Sequence, residues 1–238
     1  MAQTSDTSNP EFNRLIAELS AARRSGSAEN QMEQQKALSS LDDLVSSLLA
    51  GSAVPDLENI NQHLASLKSD AQSVGENYRL VHLDGNSNTF ALVVNFGLSG
   101  PAAIRIYTRA SNRYSLAAGI DRYSQKEFLD SDVELLPVSS PESIFVTISG
   151  RTDDRATGLF AAWRFDGRQI TPLWNSDLLQ FSSYEADGRD FLLTYCADPD
   201  DDHPEQCPRM VQDTYRWQEG NWKRTRSAML GPRKVAIK

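Results

Sequence analysis

The chain has 238 residues, of which 39% are hydrophobic and 24% charged. That composition excludes a disordered tail, a collagen-like repeat and a bundle of membrane helices, and the length suffices for a sizeable core in one large or two modest domains. The 32 acids outnumber the 24 Lys and Arg to leave a net charge of −8, which argues against a dedicated nucleic-acid binder with its basic face.

The N-terminus, Met1-Ala2-Gln3-Thr4-Ser5-Asp6-Thr7-Ser8, has neither the basic stretch nor the apolar core of a signal peptide. Polar residues after Ala2-Gln3 read as the start of a mature exported chain whose signal has been removed. The expected compartment is therefore periplasmic or extracellular; the plain alternative is a cytoplasmic protein with a ragged start. No apolar run approaches the roughly 20 residues of a transmembrane helix, so no membrane span is expected.

Residues 1–76 carry helix signals. Asn9-Pro10-Glu11 is a helix start, with Pro at the first position and an acid near the positive dipole end. Phe12, Leu15, Ile16 and Leu19 then share a face, and Ser25-Gly26-Ser27 breaks the helix. A second helix is predicted from Ala28 to a C-terminal cap at Gly51, with Leu38, Leu41, Val45 and Leu48 as its stripe. Pro55-Asp56 starts a third, whose Leu57, Ile60, Leu64, Leu67, Ala71 and Val74 repeat as a heptad. Short loops between amphipathic helices predict antiparallel packing. This segment holds 11 acids against five bases, so most of the negative charge is here, on a solvated face or on a partner-binding arm. Phe12 is its only aromatic residue, which predicts a thin core that needs a surface to dock on.

Beyond Asn77 the pattern changes to short β-rich runs between Gly, Asp, Asn, Ser and Pro. The runs form three groups of four, over about residues 78–120, 133–174 and 179–227, and short connections make each group an antiparallel meander. The groups resemble one another. Each has an apolar second strand (Phe90-Ala91-Leu92-Val93-Val94; Ile144-Phe145-Val146-Thr147-Ile148; Phe191-Leu192-Leu193-Thr194-Tyr195), then a strand with Arg beside aromatics (Arg105-Ile106-Tyr107; Trp163-Arg164-Phe165; Tyr215-Arg216-Trp217). A period of about 47 to 54 residues suits four-stranded propeller blades. The predicted class is α+β: N-terminal antiparallel helices (1–76), then an antiparallel all-β domain (77–238) of about three four-stranded units. Because closed propellers use about 4–8 blades, three units call for a second copy of the chain, an open array, a sandwich or a barrel, with the helices covering an edge.

Leu83-Asp84-Gly85-Asn86-Ser87-Asn88-Thr89-Phe90-Ala91-Leu92-Val93-Val94 resembles the opening of FG-GAP or VCBS-type β-propeller repeats, and the likeness extends over residues 83–120. Those repeats place an Asp-Gly-Asp-Gly-like calcium loop before an Asp-Leu-Val-Val strand. Here Asn86 and Asn88 replace acids, and Phe90 or Ala91 replaces the strand Asp. The resemblance implies blade topology and carries no activity.

Cys196 and Cys207 enclose an acidic, Pro-bearing segment that reads as an exposed loop between two antiparallel strands, which places the thiols within disulfide reach. The alternatives are free thiols or a metal site with His203 and an aspartate, although ten intervening residues exceed the usual zinc spacing. Within the loop, Asp198, Asp200 and Asp202 mimic the first three ligands of a calcium loop, whereas His203 stands where Gly is wanted and Arg209 where a bidentate Glu belongs. The choice there is calcium or a solvated loop.

No catalytic constellation emerges. His63 lies on the third helix, His82 alternates outward in a strand and His203 is in the acidic loop; no pair has metal-ligand spacing. Gly97-Leu98-Ser99-Gly100 misses the nucleophile elbow by one residue, and phosphate-binding glycine loops are absent. Trp163, Trp174, Trp217 and Trp222, with Tyr107, Tyr184 and Tyr215, make either a sugar-stacking platform or cross-strand core pairs. The stretch from Lys223 to Lys238 has six bases and no acid, a solvated end or an anion-binding strip. The function expected is binding or scaffolding without catalysis or cofactor, towards a protein ahead of a carbohydrate, with homo-oligomerisation open. The alternatives are an extracytoplasmic hydrolase of glycan or ester bonds and a calcium-stabilised structural module.

Overall fold

The computed structural model describes residues 14–15, 17–19, 28–50, 54–67, 76–83, 88–96, 102–111, 113–122, 131–136, 144–151, 157–176, 179–187, 190–199 and 206–234. The chain divides into two compact units, Met1–Lys126 and Glu127–Lys238. The helices thus share a unit with the first group of strands. The class is α+β, with antiparallel strands dominant.

In the first unit, α1 (Ala28–Ala50) and α2 (Leu57–Ala65) precede a sheet of β1 (Glu76–His82), β2 (Thr89–Phe96), β3 (Ala102–Ala110) and β4 (Arg113–Arg122) in sequential order. Residues 14–15 and 17–19 are also helical. The hydrophobic stripes explain the packing: Leu15, Leu19, Leu38, Leu41, Val45, Leu49, Ile60 and Leu64 are buried together with Tyr78, Leu80, Phe90, Leu92, Val94 and Phe96 from one face of the sheet. Asp56 caps α2, its side chain accepting from the Asn59 amide at 3.2 Å. The helix closes at Ser66, earlier than the heptad predicts, and Ala71 and Val74 lie outside the described residues. Asn61 ties α2 to the sheet edge. Its amide donates to the Leu80 carbonyl at 3.0 Å, and its carbonyl oxygen accepts from the Leu80 N–H at 2.7 Å. Part of the exposed ladder of β1 is thereby satisfied.

The second unit contains two meanders. One is β5 (Ser131–Leu136), β6 (Ile144–Arg151), β7 (Thr157–Phe165) and β8 (Ile170–Asn175), with β9 (Leu179–Gln180) paired to the start of β7. The other is β10 (Ser183–Asp187), β11 (Asp190–Cys196), β12 (Gln206–Gln218) and β13 (Asn221–Lys234). The single strand expected over Leu179–Tyr184 is therefore two strands in different sheets. The chain turns at Phe181, whose φ is 52°, and the Ser182 hydroxyl donates to the Leu179 carbonyl at 2.9 Å. The last hairpin exceeds its predicted length, since its bulges near Met210 and Thr214 absorb Pro208 and Gly231-Pro232 without ending the pairing. Its two-residue turn, Glu219-Gly220, has positive φ at both positions, 51° and 79°, as a type I′ hairpin requires.

Candidate binding surfaces

Sheet alternation places Arg105 of β3 beside Leu92 of β2 and opposite Gly119 of β4, on the face that meets α1. There its guanidinium pairs with Asp42 of α1 and, through Nη1, with Asp121 at 2.8 and 2.9 Å. The Tyr107 hydroxyl donates to Asp42 as well. Gly119 makes the geometry possible: a Cβ there would lie 2.7 Å from Arg105 Nη1. Burial, reinforced by the Asp42 carboxylate, pushes the Tyr107 hydroxyl well above its usual range. Every charge in this group is answered within the group, so it clamps helix to sheet and leaves nothing over for a ligand. A hollow of about 580 Å³ lies between helical residues Arg14, Ala17 and Glu18 and α1. Buried Glu18 lines it, accepting from the Ser40 hydroxyl at 2.6 Å and pairing with Arg14 and Lys36 at 3.3 and 3.6 Å.

In the second unit Trp174, Tyr184, Trp217 and Trp222 meet around Phe191, which is fully buried. The Phe191 ring stacks on Tyr215 at 4.7 Å and 9°, and has Trp222 at 4.9 Å, Trp174 at 5.1 Å and Tyr184 at 5.6 Å. Phe160 and Ala162 of β7 join them, so the cluster knits two sheets together. These offset and edge-on rings spend their faces on one another. Trp163 is buried outside this cluster, as alternation from Ala162 along β7 requires, and Tyr107 belongs to the first unit's core.

Beside the cluster stands Asp213 of β12, in register with Leu193 and Ser227 and fully buried. Its Oδ2 accepts from the Tyr195 hydroxyl at 3.0 Å and from Arg224 Nη1 at 3.2 Å; among the described residues Oδ1 has no hydrogen-bond partner. Burial first, then the Asp213 charge, raises the Tyr195 and Tyr215 hydroxyls above their usual range. Sequence reading missed this acid. The available signal was register: Asp213 alternates with Val211, Tyr215 and Trp217, an acid at an inward position of an otherwise apolar strand face.

Cys196 and Cys207 form a disulfide that closes the acidic loop between β11 and β12. Asp198 is exposed; Asp200, Asp202 and His203 lie outside the described residues, so the calcium reading concerns atoms the structure does not describe. Among the described residues no group of three His, Cys, Asp or Glu is placed to hold a metal ion. His82 is half-buried with its ring 5.0 Å from Phe90, so it packs on the core face rather than projecting into water. His63 is exposed on α2. The calcium-loop residues 84–87 of the propeller-repeat likeness also fall outside the described residues.

Among the described residues the outer strand of the last sheet, β13, is paired on one side only, to β12. On it Met229 and Leu230 are 71% and 54% exposed, an unusual placement for two adjacent large apolar groups. Arg226 follows the same strand, Lys223 pairs with Glu219, and Arg224 with Asp213. Among the described residues no helix is long and apolar enough to cross a membrane. Comparison with models of protein families finds no match, and a search of curated proteins likewise finds none.

Proposed function

We propose that this chain is an exported, non-catalytic binding or scaffold protein that engages a protein partner through the β12–β13 hairpin. The observation that carries the reading is the exposed Met229–Leu230 pair on a basic edge strand. Apolar groups ringed by charge are the usual make-up of a protein contact, where the apolar centre supplies affinity and the rim supplies steering. A glycan partner ranks lower because Trp174, Tyr184, Trp217 and Trp222 contact one another and the core. The disulfide fits an oxidising, extracytoplasmic compartment. Three sequential four-strand meanders are compatible with blades of the propeller-repeat type, and that arrangement belongs to the same proposal.

Photo-crosslinking in the native host tests the reading. A photoreactive residue at position 229 is expected to give a discrete protein adduct. The same residue at exposed Arg113 of β4 is expected to give none, and Leu230→Ser is expected to reduce the adduct from position 229. Loss of the adduct pattern together with turnover of glycan or ester substrates by the purified chain would replace this reading with the hydrolase.

A further inference from the structure

Asp213 combines three features that rarely coincide. It has no exposed surface, Oδ1 lacks a hydrogen-bond partner among the described residues, and the cation described on its other oxygen is a side chain that lies mostly in water. Leaving a buried carboxylate oxygen unanswered is costly, so such an atom is retained where something else answers it. The internal cation, Arg224, is 58% exposed and reaches Oδ2 through a single contact at 3.2 Å. It can leave that position without unpacking the core.

The surroundings are aromatic. Tyr195 and Tyr215 are half-buried on the same sheet face as Asp213. Tyr215 stacks on Phe191 and lies 4.9 Å from Trp174. Among the described residues Tyr195 is in no ring–ring contact, and an aromatic ring beside a desolvated carboxylate suits one chemical class: the ring face attracts a weakly hydrated positive charge and the carboxylate neutralises it.

We propose that Asp213, Tyr195 and Tyr215 form a binding site for an organic cation, an ammonium or guanidinium head that displaces Arg224 and answers both Asp213 oxygens, with Arg224 as its internal competitor. The head belongs either to a free small molecule or to a Lys or Arg side chain of a polypeptide. Met229 lies opposite Val211, one row along the sheet from Asp213, so the two proposals are separated by what is read: cation binding in solution here, a protein adduct in the crosslinking above.

Calorimetric titration of the full chain decides it, with choline as the free cation and a short Lys- and Arg-containing peptide as the polypeptide source. The competitor makes the signs of two variants opposite. Arg224→Ala is expected to tighten binding about tenfold, since the ligand no longer displaces a resident charge. Asp213→Asn, which keeps an acceptor for Tyr195, is expected to weaken it by at least about tenfold. Tyr215→Leu is expected to weaken it by a smaller factor. Binding of choline assigns a small-molecule site, and binding of the peptide alone assigns a side chain of a partner. Absence of binding in both the wild type and Arg224→Ala overturns the proposal, as does affinity unchanged in Asp213→Asn. Should Asp213→Asn fail to fold, the Arg224→Ala arm decides, because equal or weaker affinity there is incompatible with a competitor.

Discussion

Arg105 of β3 and Asp42 of α1 are paired with only 12% and 13% of their side chains exposed, and this contact joins the longest described helix to the middle of a sheet. The second acid on Arg105, Asp121, is 26% exposed and serves Arg105 from the next strand. Asp42 has two dependants, Arg105 and the Tyr107 hydroxyl, so its removal strands more buried polarity. Asp42→Ala is expected to destabilise the first unit by about 2 kcal/mol, and Asp121→Ala by about half as much. Urea unfolding followed by circular dichroism measures both; an equal or reversed order would contradict the geometry.

Alkaline unfolding should be led by three tyrosines. Tyr107, Tyr195 and Tyr215 all have folded-state values raised above the ordinary 10.0, by burial first and then by neighbouring carboxylates. The fold therefore favours their neutral forms. That stability is present in full below pH 10 and is lost as the pH rises further towards the folded-state values. Tyrosinate absorbance is expected to show these three ionising with unfolding rather than ahead of it, and Tyr107→Phe should remove one from the late step.

The Cys196–Cys207 bridge closes a short loop between neighbouring strands. Restricting the unfolded chain in this way is worth about 3 kcal/mol. Reduction, or the double change to Ser, is expected to lower the melting temperature of the second unit. Mass spectrometry with and without reductant should show the gain of two hydrogens that defines the bridge.

Phe191 sits at the centre of the aromatic cluster, whereas Trp217 is half-buried at its margin, its ring 5.6 Å from Trp222. Phe191→Ala is expected to cost about 4 kcal/mol, the range for a large buried ring whose cavity cannot collapse. Trp217→Ala should cost distinctly less. Denaturant midpoints that ranked them the other way would mean that the cluster is held from its margin.

The α+β layout is readable along the chain because local signals agree with it. Pro55-Asp56 opens α2, and turn residues such as Asp166-Gly167 separate the strands, whereas the cap expected at Gly51 lies outside the described residues. The Asp166 carboxylate accepts from the Arg168 and Gln169 amides at 2.9 and 2.8 Å, so that turn is written in its own side chain. What escapes local reading is set by partners distant in sequence. Pro208 and Gly231-Pro232 look like strand breakers, yet a bulged hairpin carries the pairing past them. Asp42 and Arg105 are 63 residues apart, and nothing in either segment announces the other. Asp213 is hidden for the converse reason: one acid among 32 draws no notice until its register with Val211 and Tyr215 turns it inward.

All four tryptophans of the chain, Trp163, Trp174, Trp217 and Trp222, fall in the second unit, and three of them share one cluster. Indole emission from the unmodified protein is therefore a private optical channel for that half of the molecule, silent about the helices and the first sheet. Read beside the helical ellipticity, which comes from the other half, it lets a single unlabelled sample report the melting of each half in its own colour.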